Sequence, residues 1–158
     1  MIYSYPLLTI LIFLPLATGI CLLPFRSCNC NRTRWIALGG GILELALACL
    51  CWFAASLPAT GTQLAGFFLH EDLPWIKEFG IRYTVAMDGI SLLLVVLTAL
   101  VTLVAMLVSW RAVNEQTAIH YLLILIMESG IMGVFLSLDL FLFYLFWELM
   151  LIPMFFLI

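Results

Sequence analysis

Five stretches of about 20 mostly apolar residues, separated by short polar segments, dominate this chain. That is the length an α-helix needs to cross the hydrocarbon core of a bilayer. The stretches run approximately from Pro6 to Leu23, Trp35 to Leu57, Gly89 to Trp110, Ala118 to Leu136 and Leu140 to Ile158. Of the 158 residues, 66% are hydrophobic and 9% charged, against roughly 45–50% and 25% in an ordinary soluble domain. Such a surface suits lipid, not water. The expected fold is an all-α, polytopic transmembrane helix bundle, a single membrane domain over residues 1–158.

The net charge of −3 comes from 6 Lys and Arg against 9 Asp and Glu, with no basic run, so nucleic acid is not an expected partner. Cys21, Cys49 and Cys51 fall in apolar segments, which leaves Cys28-Asn29-Cys30 in a polar loop. One Cys-x-Cys with no companion ligands does not make a metal or cluster site, and none is expected. No Lys or Arg precedes the first stretch and its apolar run is long, so it reads as a retained helix and not a signal peptide.

Arg26, Arg32, Arg34 and Arg111 fall on one side of the bundle, Lys77 and Arg82 on the other. The excess positive charge marks the first side as cytoplasmic and puts the N-terminus outside. The long outer connection, 58–88, contains Pro58, Gly61, His70, Glu71, Asp72, Pro74 and Gly80. Within it Ile81, Tyr83 and Val85 alternate with Arg82, Thr84 and Ala86, a period of two that predicts a short strand or hairpin. Asp88 and Asp139 stand immediately before apolar stretches, where a carboxylate caps free N–H groups and complements the helix dipole. The fourth and fifth stretches are joined so closely that they must form a tight antiparallel hairpin.

Three glutamates fall at membrane depth wherever the boundaries are drawn. Glu44 lies nine positions after Trp35, Glu128 ten after Ala118 and Glu148 nine after Asp139; at 1.5 Å per residue nine positions is roughly 13–14 Å, near half of a ~30 Å core. An ionisable side chain there costs about 2.5–3.5 kcal/mol on insertion scales and by default marks an ion or proton pathway. Packing is the competing reading for Glu44, beside Gly39, Gly40 and Gly41, and for Glu128, beside Ser129, Gly130 and Gly133. Glu128 and Glu148 lie ten residues either side of Leu138 and so share a depth; if they face each other, they titrate as a pair. Glu148 follows Phe143-Tyr144-Leu145-Phe146-Trp147, an apolar setting in which a charge must be answered by a cation. Every Lys and Arg lies in a loop or at a helix end, so that cation must come from elsewhere. Because the sequence stops at Ile158 inside an apolar run, it is expected to be the front part of a longer polypeptide. Pro153 weakens the last helix locally. His120, beside Tyr121 at the inner end of the fourth stretch, reads as an interfacial anchor or as an aid to proton uptake.

The run Gly133 to Met154, with its Phe146-Trp147-Glu148 and Pro153-Met154 elements, resembles the fifth-helix signature of the antiporter-like M subunit of bacterial respiratory complex I, the homologue of mitochondrial subunit 4. Pro74-Trp75-Ile76 with Phe79-Gly80-Ile81, and Met87-Asp88-Gly89-Ile90-Ser91-Leu92-Leu93, are similar to the outer loop and third-helix start of that family. The resemblance implies a larger antiporter-like fold of about fourteen helices with inverted repeats, of which five spans are visible. It implies a proton-translocating, non-redox subunit of a NADH:quinone oxidoreductase in the bacterial inner membrane. In the family, the glutamate matching Glu148 is the channel carboxylate, paired with a lysine on a later helix. It implies other membrane subunits as partners, no cofactor in this chain, and FMN and iron–sulfur clusters elsewhere in the complex. Glu128 is a second candidate relay. A related cation/proton antiporter or membrane-bound hydrogenase, and a structural scaffold with permanently protonated glutamates, are the competing readings.

Overall fold

The computed structural model describes residues 6–24, 30–56, 66–76, 78, 80–113 and 115–158. Leu57, Pro58, Gly61, Lys77, Phe79, Arg26 and the Cys28-Asn29 part of the Cys-x-Cys lie outside the described residues. The elements, in chain order, are α1 (Leu7–Cys21), α2 (Cys30–Ser56), β1 (Leu69–Ile76), β2 (Ile81–Met87), α3 (Gly89–Ala112), α4 (Thr117–Leu136) and α5 (Leu140–Leu157). Four of the helices contain segments long and apolar enough to cross a membrane, Asn31–Phe53, Gly89–Ala112, Thr117–Leu136 and Leu140–Leu157; α1 is apolar but shorter. The chain is a multi-pass membrane protein. Helix α2 begins before Trp35, so Arg32 and Arg34 sit in its first turns. This has a use: Arg34 donates to the Val113 carbonyl at 2.8 Å and lies 5.9 Å over the Trp110 ring, tying the start of α2 to the end of α3. Trp35 meets Trp110 edge-on at 5.4 Å beside this clamp.

The alternation in 81–86 becomes one strand of an antiparallel hairpin, paired from Leu69↔Met87 to Ile76↔Ile81 with an irregularity between Pro74 and Ile76. Proline has no N–H for a ladder, so the break falls where the chemistry requires it. Gly80 turns the chain with φ of 67°, a left-handed conformation open to glycine at little cost. On the exposed face of the hairpin Arg82 grips Asp72 with two hydrogen bonds and Thr84 adds a third at 3.1 Å; the Arg82 guanidinium holds the Asp72 carboxyl below the usual carboxylate range.

The hairpin lies across the ends of the helices. Leu138 N–H donates to the Thr84 carbonyl at 3.0 Å, and Val85 bridges Ser137 in the α4–α5 turn. Glu71 reaches α1: one carboxylate oxygen accepts from Leu8 N–H at 2.7 Å, the other from Thr9 N–H at 3.1 Å and from the Thr9 hydroxyl. Asp88 and Asp139 cap as expected. Asp88 accepts from Ser91 N–H at 2.8 Å while the Ser91 hydroxyl accepts from Asp88 N–H, a reciprocal capping box. Asp139 accepts from Phe141 and Leu142 N–H groups at 2.8 and 3.2 Å.

Within the bundle, small residues set the close approaches, as is usual where lipid supplies no hydrophobic drive between helices. A Cβ on Gly130 would lie 2.9 Å from Met150 and one on Gly133 would strike the Phe146 ring, so α4 and α5 pack backbone to side chain here. Gly40 receives Thr18 of α1, and Gly41 receives Leu103 of α3; Gly39 has nothing within 4 Å. Ser129 adds a polar tie, donating from its hydroxyl to the Ile12 carbonyl at 2.6 Å.

Candidate functional site: the mid-membrane carboxyls

Each of the three glutamates lies near the middle of its helix, but they do not share an environment. The α4–α5 contact runs through Gly130 and Gly133 on one helix and Phe146 and Met150 on the other. Glu128 precedes Gly130 by two positions, and Glu148 stands two from both Phe146 and Met150. Two positions along an α-helix is about 200° of rotation, so both carboxyls point away from the contact, in opposite directions. Glu128 turns into the bundle and is 1% exposed. Glu148 turns out and is exposed on the surface of α5. The two do not face each other, and a Glu128–Glu148 pair is thereby excluded.

Along α5 the residues turned into the bundle are Leu142, Phe146 and Pro153. The opposite face carries Trp147, Leu151 and Ile152, all exposed, around Glu148. The aromatic neighbours in sequence therefore do not bury this carboxyl within the chain. Tyr144, one turn earlier on the same exposed face, is the polar side chain that interacts with it, and Trp147 stacks on Phe143 with ring centroids 6.0 Å apart. An apolar helix face with one acid at its centre is suited to another helix that supplies a cation.

Glu128 instead shares the interior of the bundle with Glu44. Glu44 is 0% exposed, and the two carboxyls interact electrostatically across the α2–α4 contact. The pairing joins residues from distant stretches, and their matching depth was the only trace of it in the sequence. Thr102 of α3 stands beside Glu128, yet none of the four carboxyl oxygens has a hydrogen-bond partner. Cys51, two turns along α2, is buried and faces Glu44. His120 is half-buried in the first turns of α4, its ring 5.7 Å from Tyr121 and edge-on to it, while the Tyr121 hydroxyl donates to the Met106 carbonyl at 3.1 Å. The His120 Nε2 is buried without a hydrogen-bond partner. Among the described residues no three His, Cys, Asp or Glu gather where they could hold a metal ion.

No protein-family profile matches the chain. Individual relatives do. It is 40% identical over 155 residues to NADH-quinone oxidoreductase subunit M of Escherichia coli K12, an alignment covering 96% of this chain and 30% of that protein. Identity to the subunit M of Pseudomonas aeruginosa PAO1 is 39% over 152 residues, covering 94% and 30% of the two chains. To NAD(P)H-quinone oxidoreductase chain 4 3 of Picosynechococcus it is 39% over 156 residues, covering 98% and 27%. Among solved structures, a chain of the Thermus thermophilus respiratory complex I with bound NADH superposes with a TM-score of 0.74 at 25% identity, over 92% of this chain and 27% of that one. A chain of an archaeal membrane-bound sulfane sulfur reductase gives the same TM-score at 23% identity, covering 97% and 22%, which shows a shared fold. The chain thus spans about 30% of the length of the curated relatives it matches. The resemblance read in its motifs is real: over that length, this chain is a homologue of the M subunit of the NADH-quinone oxidoreductases.

Proposed function

We propose that this chain is part of a proton-translocating membrane subunit of a respiratory NADH:quinone oxidoreductase, with Glu148 as its relay carboxyl. One observation carries the assignment of Glu148: it is the mid-membrane acid that the bundle leaves open to a partner, at the centre of an exposed apolar face. A cation brought to that face by a later helix stabilises the carboxylate, and withdrawing it favours the protonated form. Alternating the two moves a proton onto and off the same carboxyl. On this reading the chain has no redox site of its own, FMN and iron–sulfur clusters belong to other subunits, and redox energy reaches Glu148 through neighbouring membrane subunits. The complex sits in the bacterial inner membrane with the hairpin and the N-terminus on the outer side, since Arg32, Arg34 and Arg111 collect at the other end.

The test is Glu148→Gln in the assembled complex, measured as NADH-driven proton pumping in proteoliposomes. Pumping is expected to fall at least tenfold with subunit composition unchanged. Full pumping from a correctly assembled Glu148→Gln complex would refute the relay and favour a scaffold. Sodium exchange or hydrogen evolution copurifying with the chain would move the assignment to an antiporter or a hydrogenase.

A further inference from the structure

The bundle contains a second acidic locus that the relay reading does not use. Glu44 of α2 and Glu128 of α4 are 0% and 1% exposed, interact with each other, and offer four carboxyl oxygens without a hydrogen-bond donor. Two ionised carboxylates in such a place are not tenable. A buried charge without a partner costs several kcal/mol, and a second like charge adds repulsion. Something must neutralise them, and the structure limits what it can be.

The titratable residues of the elements around the pair are few. Helix α1 has Cys21, which is exposed, and α2 has Cys51 on the pair's side, with Arg32 and Arg34 in its first turns. Helix α3 contributes Thr102 next to Glu128 and has Arg111 only in its last turn. Helix α4 has His120 and Tyr121 two turns from Glu128, and the Tyr121 hydroxyl is committed to the Met106 carbonyl. Among the described residues no cationic side chain is at hand. Nor can one arrive from another helix, because α4 packs on α1, α2 and α3 while α2 packs on α1 and α3, and neither carboxyl has surface left open. Glu148 is open to such a partner and this pair is not. The occupant that fits a closed site with four carboxyl oxygens and no cationic side chain is the smallest cation.

We infer that Glu44 and Glu128 form a proton-binding carboxyl pair, separate from Glu148, in which the proton occupancy of one side chain governs that of the other. The presence of the pair does not depend on the transport reading; its use within a transport cycle does. Thr102 supplies a hydroxyl on the α3 side that can donate to whichever oxygen becomes charged, making it the positioning residue of the pair.

The experiment is infrared difference spectroscopy on the intact complex in the carboxylic-acid C=O stretching region, with a pH titration in H2O and D2O. The wild-type complex is expected to show bands from protonated buried carboxyls. Glu44→Gln should remove one and displace the other, Glu128→Gln should do the reciprocal, and Glu148→Gln should leave both in place. Thr102→Val should displace the Glu128 band without abolishing it. The proposal is overturned if the bands are absent from wild type, if each single substitution leaves the other band unmoved, or if sodium ions at constant pH displace the bands as protons do. Gln keeps the volume of Glu and needs no proton. If one single variant fails to assemble, the reciprocal variant and the double Glu44→Gln/Glu128→Gln variant read the same bands, and the wild-type sodium and D2O responses require no substitution. Loss of pumping in Glu148→Gln with these bands intact separates the two proposals.

Discussion

Glu71 offers the sharpest test of how the β1–β2 hairpin is joined to the bundle. Helix α1 follows Pro6, which provides no side-chain cap, so the free N–H groups of its first turn depend on a residue 63 positions away. Glu71 is 8% exposed and accepts from Leu8 N–H at 2.7 Å, Thr9 N–H at 3.1 Å and the Thr9 hydroxyl. A hydrogen bond to a charged group contributes about 1.5–3 kcal/mol, and a carboxylate at a helix N-terminus in partly buried surroundings up to about 2 kcal/mol. These overlap, because the same bonds carry the dipole interaction. A net loss of about 3 kcal/mol for Glu71→Ala is therefore expected, most of it local to the first turn of α1. At 1.4 kcal/mol per tenfold, this raises the exchange rate of the Leu8 and Thr9 amides by roughly a hundredfold. The assay is hydrogen exchange by mass spectrometry on the assembled complex, comparing the peptide over α1 with one over α3. Glu71→Gln keeps one acceptor oxygen and should fall between. Unchanged α1 exchange in Glu71→Ala would refute the cap, and equal acceleration in α3 would show global loosening instead.

Further outcomes follow from the same contacts. Gly133→Leu drives a side chain into the Phe146 ring and should cost about 1–3 kcal/mol, seen as a lowered thermal midpoint of the solubilised complex; Gly39→Ala, with open space at its Cβ, should leave that midpoint unchanged. Asp88→Ala should cost about 1 kcal/mol by removing the capping box, with Asp88→Asn recovering most of it, read from exchange in the first turn of α3. The Ser91 hydroxyl and N–H hold the Asp88 carboxyl below the usual carboxylate range. Its contribution is therefore complete above the ordinary value of about 3.9 and disappears as pH falls through the lowered one. The protection of the α3 first turn, taken relative to the intrinsic amide exchange rate at each pH, should fall on acidification below that value in wild type and not in Asp88→Asn.

The local features of this chain follow from local chemistry, which is why they are legible before any folding. Runs of apolar residues of bilayer length yield helices because the backbone has no other way to satisfy its polar groups in lipid. The alternation at Ile81, Tyr83 and Val85 yields a strand, and Asp88 and Asp139 cap because a carboxylate beside free N–H groups needs no distant partner. The mid-helix position of the three glutamates is also a matter of counting.

Which way those glutamates point is not. A soluble helix announces its buried face by a stripe of apolar residues, but helices that are apolar all round have no such stripe, and lipid is as good a solvent for Leu as another helix is. Rotation about the helix axis is set instead by where a glycine admits a neighbour's side chain, as Gly130 admits Met150 and Gly133 admits Phe146. That contact turns Glu128 into the interior it shares with Glu44 and turns Glu148 outward, and it is decided between segments, not within one. The reach of Glu71 to Leu8 has the same origin. From the amino-acid order alone came the apolar helices, the hairpin, the caps and the mid-helix position of each acid. The tertiary packing alone decided which acid is enclosed and which is open, because in a bundle with no hydrophobic asymmetry shape complementarity is what orients the helices.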